Sequence, residues 1–322
     1  MREAQFVKAN YPKWKSFEEL LQQKGAAAPD QLADLFVQLT DDLAYARTHY
    51  PSSQIIPYLN GLAASVHQRI YRNKKEDLSR LLTFWTQELP LLFAGARRPL
   101  LYSFLIFAVS VAIGALSAEY DETYARLILG DGYVNMTLEN IEKGDPMAVY
   151  KDEDMLSMFA AIAYNNLRVS FTIFAAGLVF AVGAGLILFY NGVMVGAFQY
   201  FFLKQGLFWT SFLTIWVHGT LEMASFIIAG AAGLVVGNSF MYPGTYPRRT
   251  SFARGVRTAV KMLVGVLPII VAAAVLESYV TRYTEWHWAA KGAIILTSAL
   301  FMLYYFVIYP LKVERIHHAA AH

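Results

Sequence analysis

Between residues 32 and 46 the apolar positions Leu32, Leu35, Phe36, Leu39, Leu43 and Ala46 recur at three- and four-residue intervals, the period of a helix with one buried stripe. The same alternation runs through residues 1–97. Breakers at GAAAPD (25–30), where Asp30 is offered as an N-cap, and at YPSSQIIP (50–57) divide this stretch into three or four helices of a small soluble domain. From residue 98 the stripes give way to continuous apolar runs. PLLYSFLIFAVSVAIGALSA (99–118) holds no charge, and 20 or so apolar residues at about 1.5 Å each match a hydrocarbon core of about 30 Å. Further runs fall at 167–190, 192–204, 208–237, 260–280 (with Pro268 as a kink) and 293–309. The pattern predicts an all-α polytopic transmembrane bundle over 98–312 with about six crossings. The run 192–204 is short enough to be re-entrant, which would leave four.

Charge distribution orients these crossings. Residues 119–166 carry ten acids (Glu119, Asp121, Glu122, Asp131, Glu139, Glu142, Asp145, Asp152, Glu153, Asp154) against Arg126, Lys143 and Lys151. Residues 238–261 carry Arg248, Arg249, Arg254, Arg257 and Lys261 and no acid. Segments rich in Lys and Arg stay in the cytoplasm, so 119–166 is expected to be an extracytoplasmic subdomain and both termini cytoplasmic. The first 23 residues hold no apolar core of signal-peptide length, in keeping with a cytoplasmic domain over 1–97. HQRIYRNKK (67–75) reads first as a solvated helix face and second as a surface for anionic lipid headgroups or nucleic acid; no nucleic-acid motif accompanies it. A hydrophobic content of 56% and a mean hydropathy of +0.37 agree with an integral membrane protein. The absence of cysteine excludes disulfides, thiolate metal sites and cysteine nucleophiles.

Within the apolar run 208–237, His218 and Glu222 stand four residues apart and share a helix face. They are expected near mid-bilayer, where a charge costs at least ~2.5 kcal/mol, so they must face protein or water. Two readings follow: a polar clamp between spans, or a proton, ion or substrate site. HGTLE lacks the second histidine of a zinc-protease helix, and one His with one Glu gives two ligands at most, so no metal and no cofactor is expected. No nucleophile elbow, phosphate loop or catalytic triad is present, so no catalytic residue is named. Glu277 is expected to pair with Arg282 at the interface. Small residues at four-residue spacing, Gly177, Ala181 and Gly185 in one run and Ser225, Ala229, Gly233 and Gly237 in another, predict close helix contact, within the chain or across a homo-oligomer. Asn165 or Asn166 is expected to cap a helix start and Asn191-Gly192 to end one. TLENIEKG is expected to form a helix from Thr137 to Gly144.

NNLRVSFTIFAAGLVFAVGAGLILFYNGVMVGAF and HGTLEMASFIIAGAAGLVVG together resemble the stage II sporulation protein M family of bacterial integral membrane proteins, over about residues 100 to 310. The N-terminal domain and the long acidic loop look like the longer members, found in bacteria that do not sporulate. The resemblance implies a bacterial inner-membrane anchor that, in sporulating species, brings peptidoglycan hydrolases together. It implies no catalytic role for His218 or Glu222. The expectation is a non-enzymatic envelope scaffold, lodged in the lipid bilayer and meeting protein partners through 119–166 and 1–97. The rival is a transporter or channel using His218 and Glu222. No nucleic-acid partner is expected.

Overall fold

The computed structural model describes residues 2–22, 29–71, 78–121, 123–151 and 154–320. Glu122, Asp152, Glu153, residues 25–28 of the first breaker and residues 72–75 of the basic run lie outside them. The chain divides into two compact units, Met1–Arg80 and Leu81–His322.

The first unit holds α1 (Glu3–Gln22), α2 (Pro29–His49) and α3 (Ile55–Tyr71). Their apolar stripes close on Trp14, Leu39, Leu59 and Val66, all fully buried. The Trp14 indole donates to Asp42 at 2.8 Å, which satisfies its one polar group. Helix α2 begins at Pro29, so Asp30 falls in the first turn and not at the cap.

The second unit opens within α4 (Leu78–Thr83), and α5 (Leu89–Gly95) follows a π-helical turn at Phe84–Glu88. The sequence pattern assigns residues 84–96 to the N-terminal domain, but Leu89, Phe93 and Ala96 are buried in the same core as Ile228, Met262 and Phe306. The boundary therefore lies near residue 80. Helix α6 (Arg97–Tyr120) is the first span; α7 (Tyr124–Leu129) and α8 (Asp131–Glu142) build the acidic subdomain. Helix α8 starts at Asp131, with Gly130 at φ 86° before it, so Thr137 lies inside it, bonded to the Tyr133 carbonyl. It ends, as expected, just before Gly144.

The expected span 167–190 is not one helix. Helix α9 (Met155–Ala176) ends at a tight turn over 177–181, and α10 (Val182–Lys204) takes up the rest together with the short run that looked re-entrant. Asp154 caps α9 by accepting from the Leu156 and Ser157 amides. Asn165 and Asn166 thus lie mid-helix in α9, and Asn191 and Gly192 mid-helix in α10. Asn191 donates to the Ile187 carbonyl one turn back, and Gly192 packs on Ser110 and Phe107. None of the four caps or stops a helix: Asn165 is exposed and Asn166 buried within α9, and Asn191 and Gly192 lie within α10.

Helices α11 (Phe208–Met241) and α12 (Arg248–Val275) follow; α12 runs through Pro268 and continues into a π-helical turn at Leu276–Thr281. Helix α13 (Trp288–Leu303), a third π turn at Tyr304–Ile308 and α14 (Tyr309–Ala320) complete the unit. No strand occurs among the described residues.

Among the described residues five helical segments are long and apolar enough to cross a membrane: Arg97–Tyr120, Val182–Lys204, Phe208–Met241, Arg248–Thr281 and Trp288–Ala319. That is one fewer than the six crossings expected, because α9 carries Asn165, Asn166 and Arg168. Geometry nevertheless requires α9 to return the chain. Gly185, Gly192 and Gly196 of α10 face Ile106, Ser110 and Ala115 of α6 in rising order, so α6 and α10 run parallel.

Small residues bring the helix backbones together. A Cβ at Gly177 would strike the Gly233 backbone, one at Gly237 the Ala181 backbone, and one at Gly233 the Ala184 side chain. The stripes seen in the sequence are therefore used against each other within one chain. Ser103 adds a hydrogen bond from α6 to the Ile227 carbonyl of α11 at 2.6 Å.

Candidate functional site

One face of α11 carries Thr214, His218 and Glu222 at four-residue spacing, and continues through Ser225, Ala229 and Gly233. Thr214, His218 and Ser225 are buried. Ser225 bonds to the Leu221 carbonyl of its own helix, and its small size continues the close-packed stripe. The polar end of this face meets the π-helical turn at Leu276–Thr281. A π turn closes i to i+5 hydrogen bonds and widens the helix, a feature frequent at functional sites. Here it directs both Glu277 and Thr281 toward α11.

His218 Nδ1 stands 2.9 Å from Thr281 Oγ1, and its Nε2 stands 3.8 Å from a Glu277 carboxylate oxygen. Ligand atoms of His218, Glu222 and Glu277 all lie within 4.8 Å of one another. The pair expected on α11 is thus a cluster of three. Glu277, expected to pair with Arg282 at the interface, joins it, while Arg282 donates to the Lys151 carbonyl at 3.0 Å. A sequence count of two ligands becomes three because Glu277 arrives from 55 or more residues away, where no spacing rule applies.

Two further groups, not foreseen from the sequence, border the cluster. The Tyr150 ring, from the acidic subdomain, lies 5.9 Å from the His218 ring. Burial, followed by the nearby Glu277, holds its phenol well above the ordinary value, so it stays a neutral donor. Lys291, in the first turn of α13, is buried and donates to Thr214 Oγ1 at 3.2 Å and to the Thr284 carbonyl at 2.8 Å. Thr214 alone was legible in advance, as the residue one turn before His218 on the same face.

The cluster sits toward the acidic end of the bundle and not at its middle, since Thr281 is the last residue of its helix. Two ionised carboxylates with oxygens within 4.8 Å would repel by about 3.5 kcal/mol or more at an effective dielectric constant near 20. The site is therefore chemically suited to hold a cation. An apolar cleft of about 610 Å³, lined by Leu101, Phe104, Met223, Ile227, Phe306 and Val307, lies on the opposite face of α11. None of His218, Glu222 and Glu277 lines it.

Fold and site together define a polytopic, all-helical membrane protein with a buried histidine–carboxylate cluster near one end of its bundle. The stage II sporulation protein M family matches residues 103–282, more than half of the chain, and the chain belongs to that family. The match takes in α6 through the π turn, and so all three cluster residues. Residues 4–72 match a domain of unknown function, DUF8413, in accord with a longer family member. No curated protein and no solved structure matches the chain.

Proposed function

We propose that this protein is a non-enzymatic anchor of the bacterial inner membrane that holds partners at the cell envelope. The observation that carries the reading is the backbone-to-backbone packing of the bundle. Gly114, Gly196, Gly177 and Gly237 leave no room for a Cβ against Val193, Val111, Gly233 and Ala181, so the helices joined by these contacts resist the rocking that alternating access requires. A rigid bundle that carries a folded unit before it and an acidic subdomain at one end suits attachment better than transport. In this reading the acidic subdomain faces outward and Arg248, Arg249, Arg254 and Arg257 face the cytoplasm together with both termini, an orientation the charge pattern supports.

Leu127 and Tyr120, 77% and 87% exposed on or beside the subdomain, are the positions to probe. A photocrosslinking residue placed at either in living cells is expected to capture an envelope protein, of the peptidoglycan-hydrolase class or its regulators. The competing reading, transport, is favoured by the cluster itself. It predicts an ion or solute flux in proteoliposomes that Glu222→Gln abolishes. Such a flux, with no crosslinked envelope protein, would overturn the anchor reading.

A further inference from the structure

We propose that His218, Glu222 and Glu277 bind a divalent first-row transition-metal ion of the Zn2+ class, which ties α11 to the π-helical turn at Leu276–Thr281. The inference does not depend on the anchor reading.

Thr281 Oγ1 lies 3.1 Å from the Leu276 carbonyl, which can only accept, and 2.9 Å from His218 Nδ1; the assignment that satisfies both contacts has the hydroxyl donating to the carbonyl and accepting from Nδ1–H. The ring proton therefore resides on Nδ1, and Nε2 presents a lone pair. His218 is 3% exposed, and that lone pair looks at a carboxylate oxygen 3.8 Å away, beyond hydrogen-bond length. A buried nitrogen lone pair facing a carboxylate oxygen that is largely covered needs a positive charge between them, and at this separation a metal ion fits where a shared proton would draw the two closer. A histidine whose second nitrogen is fixed by a hydrogen bond is the arrangement that metal-ligating histidines adopt.

The third ligand agrees. The Glu222 carboxylate receives no hydrogen bond among the described residues, although it lies inside the bundle within 4.8 Å of the other two groups. Two carboxylates and a neutral imidazole carry a charge of −2, which one divalent ion cancels. Ligand atoms held tetrahedrally at about 2.0–2.1 Å from one ion stand roughly 3.4 Å apart; His218 and Glu277 stand 3.8 Å apart and the three groups within 4.8 Å, so the two glutamate side chains close in by rotamer adjustment when the ion binds. The imidazole selects a borderline metal over Mg2+ or Ca2+, which prefer oxygen alone. With three protein ligands a fourth position stays open, and the Tyr150 side is where the acidic subdomain would cover it.

The test uses the full-length protein in lipid nanodiscs, stripped with chelator and titrated with Co2+ as a spectroscopic probe. Wild type is expected to take up one ion per chain, with visible ligand-field bands that Zn2+ displaces. The Glu222→Gln, Glu277→Gln double variant should lose those bands, with helix content and particle size checked alongside. Thr281→Val, which removes only the acceptor for Nδ1, should weaken binding by about 10- to 100-fold. His317 and His318 near the C-terminus are exposed and offer adventitious ligands, so a His317→Ala, His318→Ala variant must still bind the ion. If that variant binds none, or if the double glutamine variant binds as wild type does, the proposal is wrong.

Discussion

Phe180 and Ala181 adopt φ of 51° and 65°, a region that side chains other than glycine rarely enter. The turn they make is closed from within. Gly177, Leu178 and Val179 donate to the carbonyls of Phe174, Ala175 and Ala176, each at 3.0 Å. That internal satisfaction lets Leu178, Val179 and Phe180 stay exposed and apolar without stranding backbone groups. Left-handed backbone costs a residue with a Cβ roughly 1–2 kcal/mol, and glycine recovers most of this against its own entropy loss of about 0.5–1 kcal/mol. Ala181→Gly should therefore raise Tm in nanodiscs slightly and Ala181→Val should lower it; the reverse order would show the turn to be unstrained. Asp154 illustrates a second residue-level device. Its bonds to the Ser157 and Leu156 amides lower its pKa below the ordinary 3.8. A lowered folded-state pKa adds stability that is complete above the ordinary value and is lost as pH falls through the folded one. Asp154→Ala should speed hydrogen exchange at the Leu156 and Ser157 amides near neutral pH, and the difference from wild type should vanish in strong acid.

At the scale of elements, the α6–α10 pair depends on glycine for contact. A Cβ at Gly196 would enter the Val111 carbonyl, while one at Gly292 in α13 would meet nothing within 4 Å. Gly196→Ala is expected to destabilise the bundle by about 1–3 kcal/mol through overpacking. Gly292→Ala should leave Tm unchanged or raise it, because a helical glycine replaced by alanine gains about 1 kcal/mol in propensity. Equal effects on thermal unfolding would refute the contact. The same pair shows how far the pattern of residues could be read. Apolar runs correctly announced α6, α11, α12 and α13. They misjudged α9 and α10, because the turn between these helices holds no proline or charge, while Asn165, Asn166, Asn191 and Gly192 looked like helix punctuation. Inside a bundle, Asn191 satisfies its amide on its own helix and Gly192 admits a neighbour, so neither interrupts anything.

At the scale of the molecule, the bundle carries an acidic subdomain at one end and the basic segment 238–261 at the other. The chain has no cysteine, so single cysteines report topology directly. A cysteine at Leu127 should react with an impermeant maleimide in intact spheroplasts, and one at Tyr246 only after permeabilisation; the opposite pattern would invert the proposed orientation. The sequence by itself determined the helical class, the membrane character, the charge asymmetry of the two ends and the polar face of α11. Each of these is a property of neighbouring residues, expressed through periodicity and local composition. Only the tertiary structure decided where α9 turns, that residues 84–96 belong to the bundle, and that Glu277 and Thr281 meet His218. His218 and Thr281 are 63 residues apart, and their contact follows from how α11 packs on a π-widened turn, which no local pattern encodes.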